Sequence, residues 1–199
     1  MKVFFSCSTN EILKYKNEYK AIRDAVKSLG HSLTRDWLDK SIELAESGQK
    51  DVPISRLYSD VVSAILMSDV VIFEGTVRST SLGHQLTYAL EKNKPVLFLT
   101  QESGEQLNYL FISGAKTSLL TIKNYTKNNL AHIITDYLAN NNGDKKVRFN
   151  LVIDKPQDNY IEWASYNYKM SKTEVIKQAI NKLMRLDKKY QIGADKTKG

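Results

Sequence analysis

Along the first 140 residues, apolar positions follow two alternating rhythms. Continuous apolar runs occur at "KVFFSC", "DVVIFEG", "PVLFLT" and "SLLTIKN". Each reads as a strand covered on both faces, as inside a parallel sheet. Between them the spacing changes to three and four residues: Tyr19, Ile22, Val26 and Leu29 ahead of Gly30, then Ile54, Leu57, Val61 and Ile65 behind Pro53. These sets predict amphipathic helices, the first closed by a glycine and the second opened by a proline. "SDVVIFEGTVRSTSLGHQLTYALEKNKPVLFL" joins a strand, a turn, a helix and a strand, and "LAHIITDYLAN" adds a last helix. Strands alternating with helices at this spacing predict an α/β fold with a doubly wound parallel sheet. Ligands are then expected beyond the carboxyl ends of the strands.

"NNNGDKK" breaks the pattern and divides the chain. The predicted layout is an α/β domain over 1–140, a linker over 141–146, a small domain over 147–190 and a frayed tail over 191–199. In "VRFNLVID", Val147, Phe149, Leu151 and Ile153 alternate with Lys146, Arg148, Asn150 and Val152, the pattern of a strand with one apolar face. Asp154 can cap a helix with Pro156 in its opening turn, and Ile161, Ala164 and Tyr168 share one of its faces, with Tyr160 and Trp163 nearby. Ser171 and Glu174 form a capping box before a second helix carrying Val175, Ile176, Ala179, Ile180 and Leu183. One strand and two helices, roughly 45 residues, cannot bury so many apolar positions alone. The natural mate of a lone strand is the same strand of a second copy, so a homodimer through an antiparallel ribbon is expected, with higher oligomers left open.

A hydrophobic fraction of 42% permits an ordinary core. No apolar run approaches the roughly 20 residues needed to span a bilayer, so no membrane partner is expected. "MKVFFSCSTN" turns polar too soon for a signal peptide and reads as a strand. The single cysteine, Cys7, excludes an internal disulfide framework, suits a reducing cytoplasm and reads as a small buried residue. His31, His84 and His132 lie far apart with no second ligand at metal spacing, so neither metal nor cofactor is expected. Charge is uneven. From Asp144 onward 13 Lys and Arg face 7 Asp and Glu, a net of +6, whereas the preceding residues hold 16 against 15. Such an asymmetry suits a polyanionic partner or, equally, a solvated lysine-rich end.

The segment over 146–190, with its "MSKTEVI" turn, resembles the ribbon-helix-helix family of DNA-binding proteins, with Lys169 where that family often has glycine. The resemblance implies paired strands entering the major groove of double-stranded DNA. Arg148, Asn150 and Val152 would face the bases, with Lys146 at the edge. Arginine can pair with guanine, asparagine with adenine, and valine can touch a thymine methyl. Ser171, Lys172 and Thr173, at the start of the second helix, would hold a phosphate. The same outward residues also suit the wet face of a plain dimerisation strand.

Residues 1–140 resemble the nucleoside 2-deoxyribosyltransferase superfamily, most nearly its 2'-deoxynucleoside 5'-phosphate N-hydrolase branch. The likeness runs from "KVFFSCS" through the central stretch to "KTSLLTIKNY". It implies a ligand-binding set of Ser8, Tyr19, Asp60, Glu74, Ser79, Gly83 and Gln85. Within that set Asp60 would be a supporting acid, Ser79 a phosphate-side serine and Gly83 a close-approach glycine. The family's catalytic glutamate is replaced here by Gln85, in "LGHQL", and His84 takes the place of an aromatic residue. Cleaving an N-glycosidic bond passes through an oxocarbenium-like state that needs a carboxylate near the anomeric carbon. An amide supplies no negative charge. The expected function is therefore a dimeric DNA-binding regulator whose nucleotide pocket derives from a glycosidase. The alternative is an active N-glycosidase or deoxyribosyltransferase that uses another acid, with the C-terminal part serving autoregulation or assembly.

Overall fold

A computed structural model describes residues 1–48, 54–101, 112, 114–115, 117–141, 150–188 and 190. The chain forms two compact units, Met1–Gly143 and Asp144–Gly199. In the first, β1 (Lys2–Cys7), β2 (Ser32–Leu33), β3 (Val70–Glu74), β4 (Val96–Thr100) and β5 (Leu120–Asn124) make one parallel sheet in the order β2-β1-β3-β4-β5. Five helices accompany it among the described residues: α1 (Lys16–Ser28), α2 (Leu38–Ser47), α3 (Ile54–Met67), α4 (Thr80–Glu91) and α5 (Leu130–Asn141). No described helix is long and apolar enough to cross a membrane.

Strand alternation sorts the core into two layers. Val3, Phe5, Val70, Ile72, Leu97 and Leu99 pack with Tyr19, Ile22 and Val26 of α1 and with Ile134 and Leu138 of α5. Phe4, Val71, Phe73, Val96 and Phe98 pack with Ile65 of α3 and with Leu82, Leu86 and Ala89 of α4. Both faces of β1, β3 and β4 are thus apolar, which is why these strands read as unbroken hydrophobic runs.

The sheet order reverses between β1 and β3, where the chain leaves β1 toward β2 on one side and later returns on the other. Crevices at such switch points are where doubly wound sheets hold ligands. Register aligns Cys7 with Glu74 and Glu74 with Leu99 at that edge. Two elements escaped the sequence pattern. β2 has only two residues, too few to show an alternation, and α2 is a short helix ended by Gly48 at φ 71°.

The second unit contains α6 (Lys155–Asn167) and α7 (Lys172–Leu186). Gln157 Oε1 accepts from the backbone N–H of the α6 N-cap, Asp154, at 2.7 Å. Ser171 and Glu174 close the predicted capping box reciprocally, at 2.8 and 3.2 Å. The expected strand takes a different form. Residues 150–153 are in no strand within the single chain, and 147–149 lie outside the described residues. A lone edge has no mate within its own chain, so hydrogen-bonded pairing would need a second copy.

Gly75 follows β3 directly, and a Cβ placed there would overlap the Phe98 ring. Gly75→Ala is expected to destabilise the protein by about 1–3 kcal/mol, since a packed ring must shift to admit the methyl group. Urea unfolding checks this, with the loss appearing as a lowered midpoint at unchanged slope.

Candidate functional site

Two loops meet at the switch point. After β1, Ser8 is buried and its Oγ accepts from the Asn10 backbone N–H at 3.2 Å. Asn10 Nδ2 donates to the Arg78 carbonyl at 3.4 Å, tying this loop to the turn after β3. Ser79 caps α4, and its Oγ accepts from the Leu82 backbone N–H at 3.3 Å. The hydroxyl expected to face a phosphate is therefore also a helix cap. Gly83 lies on the exposed side of α4, and a Cβ there would meet no atom within 4 Å. Nothing in the fold itself requires that glycine, and open space lies beside it.

A groove of about 330 Å³ runs along α3 and α4, between Leu57–Ile65 of the one and Thr80–Tyr88 of the other. Leu57, Val61 and Ile65 give it an apolar wall, and Tyr58, His84 and Tyr88 make an aromatic one. The Tyr58 and His84 rings stack with centroids 5.9 Å apart, and Tyr58 Oη lies 3.4 Å from His84 Nε2. Gln85 also lines the groove, with Thr80 and Ser81, and its Oε1 is buried with no hydrogen-bond partner among the described residues. Buried carbonyl oxygens are rarely left unpaired, so this one is ready to accept a hydrogen bond. Asp60 is exposed on α3 and does not line the groove.

Glu74 and Tyr19 belong to the opposite layer. Alternation puts Glu74 with Val70 and Ile72, on the side covered by α1. It is fully buried. Its Oε1 accepts from Thr76 Oγ1, from the Thr76 backbone N–H at 3.2 Å and from Tyr125 Oη at 3.2 Å. Its Oε2 has no partner among the described residues, nor does the hydroxyl of Tyr19, which is also fully buried. Desolvation raises the Glu74 carboxyl above the usual carboxylate range, against the pull of the Thr76 and Tyr125 hydrogen bonds. Burial and the neighbouring Glu74 likewise push the Cys7 thiol and the Tyr19 phenol upward. Cys7 is accordingly a buried thiol with no thiolate character. Tyr125, which follows β5 directly, was not singled out in the sequence. Only the assembled sheet brings it to Glu74.

In the second unit, Lys146 and Arg148 lie outside the described residues, while Asn150 and Val152 are exposed. Ser171 is the N-cap of α7, Lys172 pairs with Glu162 at 2.7 Å and Asp158 at 3.7 Å, and Thr173 is exposed. Lys169 adopts a left-handed φ of 51°, a backbone state that favours glycine. Among the described residues no cluster of three or more His, Cys, Asp or Glu could hold a metal ion.

The parallel five-stranded sheet and its helices define a doubly wound α/β fold, with the groove between α3 and α4. Among solved structures, the chain is similar to a CMP N-glycosidase, BcmB, of Clostridium botulinum, with a TM-score of 0.52 at 14% identity over 69% of this chain and 100% of that one. No protein-family model and no curated protein matches the sequence.

The Glu74 environment has a pH signature. A carboxyl whose folded pKa is raised adds stability below its unfolded pKa and loses it as pH rises through the folded value. Glu74→Gln keeps an acceptor for Thr76 and Tyr125 and removes the ionisation. Urea midpoints at pH 5 and pH 8 are therefore expected to fall less for the variant than for the parent.

Proposed function

We propose that this chain is a homodimeric DNA-binding regulator whose N-terminal unit binds a nucleotide without cleaving it. The observation that carries the reading is Gln85. Its amide lines the groove between α3 and α4, at the position where the family resemblance expects a carboxylate, and its Oε1 has no partner among the described residues. An amide can accept from a sugar hydroxyl, but it neither balances an oxocarbenium charge nor attacks the anomeric carbon efficiently.

Among the described residues no acid lines the groove. Glu74 is held by Thr76 and Tyr125 in the other core layer, with its ionisation suppressed. α4 has no acidic residue before Glu91, its last residue. Asp60 faces solvent on α3.

The second unit supports the DNA-binding half. Its buried apolar set consists of Ile161, Ala164 and Val175, with Ile153, Met170 and Ile176 partly covered. Trp163, Ile180, Leu183 and Leu186 are exposed, at 53%, 50%, 66% and 67%. A unit so thinly packed needs a further surface, and a second copy supplies it by symmetry. The net charge of +6 over the same residues suits a phosphate backbone. The left-handed Lys169 stands where the ribbon-helix-helix turn commonly has glycine.

The fold likeness to a CMP N-glycosidase favours a second reading, an active nucleotide glycosidase. Release of free base separates the two. With CMP and the other nucleoside monophosphates, the parent protein is expected to release no base, whereas Gln85→Glu gains detectable release. Base release by the parent, abolished by Asp60→Asn, would establish the enzyme instead.

Leu183 tests assembly. Sedimentation is expected to show a dimer for the parent and a monomer for Leu183→Asp, because the leucine is solvent-exposed only in the single chain. A parent monomer would remove the dimer from this account.

A further inference from the structure

The groove along α3 and α4 is lined by no Asp, Glu, Lys or Arg among the described residues. Its volume of about 330 Å³ lies at the small end of the range for small-molecule sites. Leu57, Val61 and Ile65 form one wall, and the Tyr58 and His84 rings, inclined by 29° to each other, form another. A phosphate would meet no fixed positive charge here. The flat, uncharged part of a ligand fits these walls, with an aromatic ring free to lie against Tyr58.

One polar atom in the groove stands apart. Gln85 Oε1 is enclosed, and no donor reaches it among the described residues. The Tyr58 hydroxyl lies 3.4 Å from His84 Nε2 instead. An enclosed carbonyl oxygen without a donor is unfavourable, and a ligand that brings one removes the cost. If Gln85 stands beside the anomeric carbon, the donor of a ribonucleotide within its reach is the 2'-hydroxyl, one carbon away. The edge of the base lies across the ring from that carbon. A 2'-deoxynucleotide offers only C–H at the same place and leaves Oε1 unpaired.

We propose that the α3–α4 groove takes the nucleoside half of the nucleotide, with the base on Tyr58 and His84, and that Gln85 selects ribonucleotides by accepting from the 2'-hydroxyl. This deepens the nucleotide-binding reading and rests on it. Stacking is available to every base alike, so the rings supply affinity while the amide discriminates between sugars.

Calorimetry on the full-length protein with CMP, dCMP, AMP and dAMP tests the assignment. The parent is expected to bind the ribo form about 5- to 100-fold more tightly than its deoxy counterpart, the range for leaving a buried acceptor unpaired. Gln85→Leu removes the acceptor, keeps an apolar side chain on α4 and should bring that ratio to about twofold or less. Tyr58→Ala should weaken both forms alike and keep the ratio. A parent that binds ribo and deoxy forms equally, or a ratio unchanged in Gln85→Leu, would overturn the role of Gln85 and leave the nucleotide pocket standing. Affinities unmoved by Tyr58→Ala would overturn the groove as the site of the base. A parent that binds none of the four would overturn the pocket itself and this assignment with it.

Discussion

Covering β1, β3 and β4 on both faces restricts where this chain can place polar chemistry. Within the strands every side chain from Val3 to Phe5 and from Val70 to Phe73 is enclosed by helices. Polar groups are admitted only where the strands end. The parallel register brings those ends into line at Cys7, Glu74 and Leu99, and the reversal of strand order opens a crevice beside them. The loops after β1 and β3 are tied together at this edge by Asn10 and the Arg78 carbonyl. The position of the candidate site is therefore a consequence of core burial.

Charge placement at this edge separates structure from recognition. Glu74 is locked by Thr76 and Tyr125 and driven toward its neutral form by desolvation, so it acts as an interior hydrogen-bonding hub. Gln85 offers a neutral acceptor in an aromatic and aliphatic groove. A neutral amide there can accept a hydrogen bond from a ligand hydroxyl but carries no negative charge.

Much of the first unit was legible because its strands are long apolar runs and its helices repeat at three and four residues. β2 and α2 were not, since a two-residue strand carries no period and α2 has only Leu38 and Ile42 buried. Gln85 was a candidate from the motif, and the structure places it in the groove beside Tyr58 and His84. The isolation of Glu74 from the groove was not legible, because it depends on strand parity and on Tyr125, 51 residues away. Trp37 was not singled out in the sequence; only the pairing of β2 with β1 sets its Nε1 against the Phe5 carbonyl. In the second unit both helices and the Ser171 capping box were foreseen from local signals. The expected ribbon strand is not formed over 150–153 in the single chain.

The central claim joins a nucleotide pocket to a DNA reader in one protein. Fluorescence anisotropy of the full-length chain on the DNA flanking its own gene, against scrambled DNA at two salt concentrations and with and without CMP, tests it most directly. The account predicts tighter binding to the native DNA, weakening as salt rises, and an affinity that shifts when CMP is present. Equal, weak binding to both DNAs, unmoved by CMP, would contradict it.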